Sequence, residues 1–346
     1  MQMKYMKPLF TSILIIAQYS NVTFSFSTHL KTFHKSMHPK EFRKSVRSGK
    51  FRSPTNGICS DYLQCNLVVL REKDAFDFLK FCDLNSKACP LIEVLDVGSS
   101  VPKFCSSCAD LKTDIPKYRI FQNGILTEEV TDVKAVWPDD AVAFLIGCSF
   151  SCDAALMNAG IELRSIQQKK NVPMYNTNLE CTPVGSFAGN VVVSMKPIKA
   201  LDVAKEVQIT SKFPKAHGGP ICVGCPTCIG ITDISKPDYG DPVDIYPDEV
   251  PVFHACGVTP QNIIMKSQVE FAITHSPGHM FITDLKSDFD FSLLPSSSLS
   301  TMSPPSERVL ESNFVEDEMI ETDLTACESS NKRKKRSNCI DPTEDD

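Results

Sequence analysis

His275 and His279 bracket the short stretch Ser276-Pro277-Gly278. An imidazole titrates near neutrality and can pass protons at ordinary pH, a service worth ~10²–10⁴-fold in rate where the ring is well placed. Proline and glycine make the intervening stretch a turn, so the two rings lack the i, i+4 helical spacing of a zinc pair. His275 and His279 are therefore candidates for acid–base work, and Cys256, upstream of them, is a third candidate for catalysis. The competing interpretation of a loop histidine is a structural residue, and a pair beside a glycine shifts the balance toward function.

Between Cys256 and the histidines lies Gly257-Val258-Thr259-Pro260-Gln261. Gly257-Val258 has the make-up of a turn, with Thr259 as the N-cap and Pro260 as the first residue of a helix. Such a helix start presents unpaired backbone N–H groups and a positive dipole end, which suits a carboxylate held by Thr259 and Gln261. From this turn alone, an ordinary capped helix with nothing bound is an equally good description.

Further upstream, Gly147-Cys148-Ser149-Phe150-Ser151 resembles a nucleophile elbow without its final glycine, and no triad order can be assigned. Ser149 is better suited to holding substrate oxygens with its hydroxyl and backbone N–H. Asn171 to Asn178 forms a polar stretch interrupted by Pro173, expected as a loop, from which Tyr175 and Asn178 offer a hydroxyl and an amide. Cys222, Cys225 and Cys228 form a CxxCxxC run, and Cys105 with Cys108 forms a CxxC, spacings compatible with zinc or an iron–sulfur cluster. Gly224, Pro226 and Gly230 explain the first of these as a tight loop, so no metal is assigned.

The elements that must position these residues alternate between short β-like and helical runs, which indicates an α/β class: a mixed sheet with flanking helices plus a smaller inserted α+β subdomain. Asp74 to Cys82 has a helical pattern, Ala141 to Ile146 is a buried strand or helix ending at Gly147, and Cys152 to Ala159 is a short helix stopped by Gly160. Val191 to Met195 is strand-like. Ala200, Val203, Ala204 and Val207 fall at i, i+3, i+4, i+7, one face of a helix. Val252–Cys256 and Phe271–Thr274 form strands on either side of the Thr259 helix. As parallel neighbours, they would bring the Cys256–Gln261 turn and the His275–His279 loop to one carboxyl edge of the sheet, where α/β folds bind ligands.

The chain has 346 residues and 42% hydrophobic content, enough for a sizeable core. Its formal charge of −6 is dispersed, and the concentrated basic run Lys332–Arg336 lies far from the chemistry. Nucleic-acid binding is not expected, and neither is a membrane span. An odd count of 15 scattered cysteines argues against a complete disulfide framework, so most are expected reduced and buried. Residues 1–38 have the basic, acid-free bias of a mitochondrial transit peptide or a disordered segment, with cytoplasmic or secreted location as the alternatives. The globular block is expected over 39–286, with the smaller subdomain within about 214–250, and 287–346 as an acidic, Ser/Pro-rich disordered tail.

Taken together, Gly147–Ser151, Asn171–Asn178, Val193-Ser194-Met195-Lys196-Pro197, Gln208–Pro214, Asp238–Pro242, Ala255–Gln261 and His275–Phe281 make the chain resemble the D-glutamate cyclase family, long grouped with the hydro-lyases. The order and spacing agree over about Phe42 to Leu285. The resemblance implies conversion of D-glutamate to 5-oxo-D-proline and water, with no nicotinamide, flavin or pyridoxal cofactor. It also implies a small amino-acid or carboxylic-acid substrate as partner, and is compatible with a homo-oligomer. Such a reaction needs a proton acceptor, a proton donor and oxyanion stabilisation. By residue chemistry these fall to His275 or His279 for proton transfer, with Lys196, Lys212 or His217 supplying positive charge. A hydro-lyase on another small acid, or a non-catalytic ligand- or metal-binding protein, would use the same residues differently.

Overall fold

The computed structural model describes residues 37–106 and 108–291, so the transit-peptide and tail expectations fall mostly outside the described residues, while Phe289 and Phe291, at the start of the expected tail, pack against Phe104. In chain order these residues form α1 (Pro39–Arg47), β1 (Tyr62–Arg71), α2 (Glu72–Leu84), β2 (Leu91–Val94), β3 (Tyr118–Gln122), β4 (Ile125–Val130) and β5 (Ala141–Gly147). There follow α3 (Asp153–Asn158), α4 (Arg164–Gln167), β6 (Met174–Glu180), β7 (Asn190–Lys199), α5 (Val203–Thr210) and β8 (Cys222–Val223). The last elements are β9 (Glu249–Ala255), α6 (Thr259–Ser267), β10 (Phe271–His275) and β11 (Phe281–Lys286). No helix among the described residues is long and apolar enough to cross a membrane.

The strands make two sheets in a mixed α/β fold, one ordered β2-β5-β1-β10-β3-β4 with β11 also on β1, the other β6-β7-β9-β8. Strand β1 is apolar on both faces because both are covered. Leu63, Cys65, Leu67 and Val69 enter one core cluster. Val68 and Leu70, pointing the opposite way, pack with Phe78 and Phe81 of α2 and Ile263 and Ile264 of α6. Removing each such side chain from water contributes roughly 1.5–3 kcal/mol, which makes this sheet the rigid base of the molecule.

In the second sheet the two faces differ. Val193 and Met195 of β7 pack with Tyr175 and Phe253 under the segment that carries Ile229 and Ile231. The opposite face of β7 presents Val192, Ser194, Lys196 and Ile198, two apolar residues bracketing two polar ones, all buried. Ser194 lies opposite His254 in the register with β9. The segment from 214 to 250 supplies β8 to this sheet, and an isolated bridge joins Met174 to Tyr239.

Two expectations are corrected, and one expected helix buries residues that its apolar pattern does not show. Strands β9 and β10 are not parallel neighbours: β9 lies between β7 and β8, β10 lies between β1 and β3, and α6 crosses from one sheet to the other. Asn171 to Asn178 is not a loop, because β6 begins at Met174 and pairs with β7. Helix α5 does form, but its buried residues are Glu206 and Thr210, while Ala204 of the apolar stripe is exposed. The cost of burying a glutamate is met by partners described below.

Strand β5 ends at Gly147, where the next segment passes unusually close. A Cβ added there would lie 1.6 Å from the Lys215 carbonyl oxygen, a backbone atom that cannot rotate away. Gly147→Ala is expected to lower the unfolding free energy by about 3 kcal/mol or more in urea titration, the upper range for overpacking.

Candidate active site

At one end of the site, β10 terminates in His275, which is 1% exposed. The Leu67 N–H donates to its Nδ1 at 3.2 Å, while the Leu67 carbonyl is farther away at 3.4 Å. The amide contact leaves the proton of the neutral ring on Nε2, a buried atom with no partner among the described residues. Burial pulls the pKa of His275 down to about 3, so the ring stays neutral and presents an N–H rather than a basic lone pair. Gln261 Nε2 donates to the His275 carbonyl at 2.8 Å, and its Oε1 is likewise buried without a partner. The turn before α6 and the end of β10 thus meet across the sheets, although not at a shared sheet edge.

Thr259 is the first residue of α6 rather than its cap, and Val258 takes the N-cap position. The threonine hydroxyl accepts from Val192 N–H at 3.0 Å and donates to the Cys256 carbonyl at 2.7 Å, so it ties α6 to β7 instead of facing a ligand. His279 Nδ1 lies 3.0 Å from the Pro277 carbonyl, and burial lowers its pKa. Asn171 Nδ2 donates to that same carbonyl at 3.3 Å, joining two of the family-like segments.

The middle of the site is a close approach of backbone to side chain. Asn66 Nδ2 donates to the Gly147 carbonyl at 2.7 Å, and a Cβ on Gly257 would lie 1.9 Å from that nitrogen. Only a glycine lets the Cys256 turn lie flat on Asn66. Cys148 and Cys256 share one buried cluster. Burial raises the Cys256 thiol to about 11 and the Cys148 thiol well above its ordinary value, so neither is a ready thiolate. Ser149 is buried at the start of the 3₁₀ turn Ser149–Cys152 that leads into α3.

Beyond Cys148 the band becomes charged. Lys196 Nζ lies 3.4 Å from Asp153 Oδ1, with side chains 6% and 4% exposed. Burial acts to neutralise the ammonium, but Asp153, Cys152 and Glu206 more than offset it and hold the Lys196 pKa above its ordinary value. Burial raises the Asp153 carboxyl, with Lys196 opposing, so the lysine is the more firmly held charge of the two. Next to them, His254 Nε2 is 2.8 Å from Glu206 Oε1, both nearly inaccessible, and His254 Nδ1 is 3.4 Å from the Gly218 carbonyl. Removing one member of the buried Lys196–Asp153 pair strands the other charge at a cost of about 3–5 kcal/mol.

His217 closes the band. Its backbone is left-handed at φ 72°, and its Nδ1–H donates to the Lys87 carbonyl at 2.9 Å. That bond leaves Nε2 as an acceptor, again buried and without a hydrogen-bond partner among the described residues, although the Gly147 backbone lies close to the ring. Burial lowers its pKa to about 4, so His217 is neutral in the tautomer opposite to that of His275. Its outer side lines a cavity of about 920 Å³ between α2 and the segment from 211 to 219.

Of the residues singled out in the sequence, the structure joins His275, Gln261 and Cys256 at one end of this band and Lys196 and His217 at the other. Tyr175 is not among them: it faces the other side of the second sheet and donates its hydroxyl to the Ile234 carbonyl at 2.6 Å. Asn178 and Lys212 are exposed. The CxxCxxC run, expected reduced, holds a disulfide between Cys225 and Cys228, with Cys222 donating to the Cys225 carbonyl. Among the described residues, no group of three or more His, Cys, Asp or Glu is arranged to hold a metal ion.

Asn66, Asp153, Ser194, Glu206 and His254 escaped the sequence reading. Two signals pointed to them: the alternation of Ser194 and Lys196 with Val193 and Met195 along β7, and a histidine in the middle of the apolar run Val252–Cys256. Glu206 could not be found this way, since the apolar stripe of its helix pointed elsewhere.

A family model described as D-glutamate cyclase matches residues 142–284. A Bacillus licheniformis protein carrying a provisional hydro-lyase name is 52% identical over 235 residues, covering 68% of this chain and 90% of that protein. A Bacillus subtilis relative with the same kind of name is 53% identical over 235 residues, covering 68% and 91%. One from Thermoanaerobacter pseudethanolicus is 55% identical over 235 residues, covering 68% and 89%. Among solved structures, a nitrogen repressor-like protein from Methanococcus jannaschii overlaps at a TM-score of 0.30 and 10% identity, covering 71% of this chain and 97% of that one, too slight a likeness to support any argument.

The two neutral histidines give stability a defined pH dependence. Both have folded pKa values, about 4 and about 3, below the ordinary 6.5, so between these limits the unfolded chain binds more protons than the folded one. Their contribution is complete above pH 6.5 and is lost on acidification toward the folded values. Urea unfolding at pH 5 is expected to show roughly 1–2 kcal/mol less stability per histidine than at pH 7. His275→Phe and His217→Phe should each flatten that slope, and an unchanged slope would contradict the assignment.

Proposed function

The chain belongs to the D-glutamate cyclase family, and from that premise we propose that it is a hydro-lyase that closes D-glutamate to 5-oxo-D-proline with loss of water. The observation that carries the reading is a concentration of unmet hydrogen bonding. Of ten buried side-chain polar atoms without a partner among the described residues, five, Ser194 Oγ, Glu206 Oε2, His217 Nε2, Gln261 Oε1 and His275 Nε2, lie along this one band. Buried polar atoms are almost always satisfied, so a group of exceptions points to a ligand that completes them.

The reaction moves two protons. The substrate ammonium must lose one before its nitrogen can attack the side-chain carboxyl carbon and a second as the lactam forms, and the departing carboxylate oxygen must gain both to leave as water. The opposite tautomers of the two histidines suit these steps. His217 offers a free Nε2 lone pair to accept a proton, and His275, at the opposite end of the band, holds an Nε2–H that can only donate. In a site this dry, Lys196 supplies a fixed positive charge of greater effect than the same charge in water. Cys256, with its thiol pKa near 11, fits a wall rather than a nucleophile. His279 supports the turn through Pro277 and Ser276.

The relatives reported above are bacterial, which favours the cytoplasmic alternative over the mitochondrial matrix. The residues that prompted the transit-peptide reading are outside those described.

Incubation of the full chain with D-glutamate and, separately, L-glutamate, followed by chiral chromatography of 5-oxoproline, is expected to show product from the D enantiomer. No product from D-glutamate would remove this substrate. His217→Gln is expected to lower kcat by ~10²-fold or more, the usual contribution of a positioned base. A loss below tenfold would take His217 out of the proton-transfer role.

A further inference from the structure

The cavity outside His217 has a charge imbalance that the band does not explain. Its lining includes Phe76, Leu79, Lys87, Ser211, Lys215 and His217. Lys87 Nζ donates to the carbonyls of His217 at 3.1 Å and Gly219 at 2.6 Å, and Lys215 Nζ donates to the Leu91 carbonyl at 2.7 Å. An ammonium has three N–H groups, so beyond these hydrogen bonds Lys87 keeps one and Lys215 keeps two, with the Phe291 ring centroid 5.6 Å from the Lys215 Nζ. Partial burial holds both below the ordinary lysine range, and no carboxylate contributes to offset it. Asp83 also lines the cavity, but it makes no ion pair with either ammonium. Two anchored ammonium groups at the wall of a cavity, each with N–H to spare and no counter-ion among the described residues, form a seat for an anion.

The seat adjoins the band. The Lys215 carbonyl is the atom against which Gly147 packs, and Gly218, which follows His217, accepts from His254. A ligand held by Lys87 and Lys215 therefore lies against the same backbone segment, 215–218, that supplies the free imidazole of His217.

We propose that this cavity is the substrate seat, in which Lys87 and Lys215 bind one carboxylate of a five-carbon dicarboxylate while the rest of the molecule is presented to His217. This deepens the cyclase reading and rests on it for the identity of the reacting end. It assigns to Lys87 and Lys215 a positioning and specificity role: they hold the carboxylate that does not react, and no bond to it is made or broken.

The test separates binding from turnover by using glutarate, which has the same carbon skeleton and both carboxylates but lacks the amine that ring closure requires. Calorimetric titration of the full chain is expected to show glutarate binding, weakened at least tenfold in Lys87→Met and in Lys215→Met. Because both lysines also bond to backbone carbonyls, Ser86→Asp serves as an independent variant. It adds a carboxylate to the cavity lining without removing any of those bonds, and is likewise expected to weaken glutarate at least tenfold. Thermal melts establish which variants remain folded, and Lys205→Met, on the exposed side of α5, should bind as the unsubstituted protein does. Absence of glutarate binding, or unchanged binding in folded Lys215→Met and Ser86→Asp, would overturn the proposal. With D-glutamate the same variants should raise KM far more than they lower kcat. Turnover with unchanged KM would remove the seat and leave the cyclase reading standing. Glutarate binding that depends on the lysines, without any turnover of D-glutamate, would leave the seat and remove the reaction.

Discussion

Placing Lys196 and Asp153 together out of water is the constraint on which the arrangement of the second sheet turns. A lone charge in that position would be prohibitively costly, so the strand that carries the lysine must lie where α3 can offer a carboxylate and α5 a second one. The apolar residues on either side, Val192 and Ile198 on the same face of β7, keep the pair dry. Stability and reactivity therefore draw on the same feature. Water is excluded because the clusters pack, and electrostatic effects are strong because water is excluded.

A second constraint is steric. Gly147 and Gly257 allow backbone and side chains from both sheets to approach to distances that any Cβ would prevent, one against Lys215 and the other against Asn66. Neither glycine needs a left-handed backbone, since positive φ is found at other glycines and not at these two. Their role is to be thin. The site is compact because its walls are main chain rather than side chain.

Much of this architecture was legible in the sequence, and the failures have specific physical causes. The helix over Asp74–Cys82, the buried run ending at Gly147 and the strand from Val191 were readable because local apolar periodicity decides them. The pairing of β9 and β10 was not, because a strand–helix–strand pattern is the same whether the helix returns to its own sheet or crosses to another. The burial of Glu206 on α5 was not readable for a related reason: its partner, His254, lies 48 positions away. His275, Gln261, Cys256, Lys196 and His217 could be named from residue chemistry. Their tautomers and pairings, which give them distinct roles, come from backbone groups such as Leu67 N–H and the Lys87 carbonyl that no side-chain pattern reveals.

Because β9 and β10 belong to different sheets, α6 is the strut between them, and Gln261 sits in its first turn with its amide on the last residue of β10. A sliding of one sheet against the other would act directly on that amide contact. The spacing of the sheets and the aim of the imidazole are thus one mechanical quantity. Substitutions that alter packing under α6, at Ile263 or Ile264, act on the site as a change of alignment rather than a loss of a functional group.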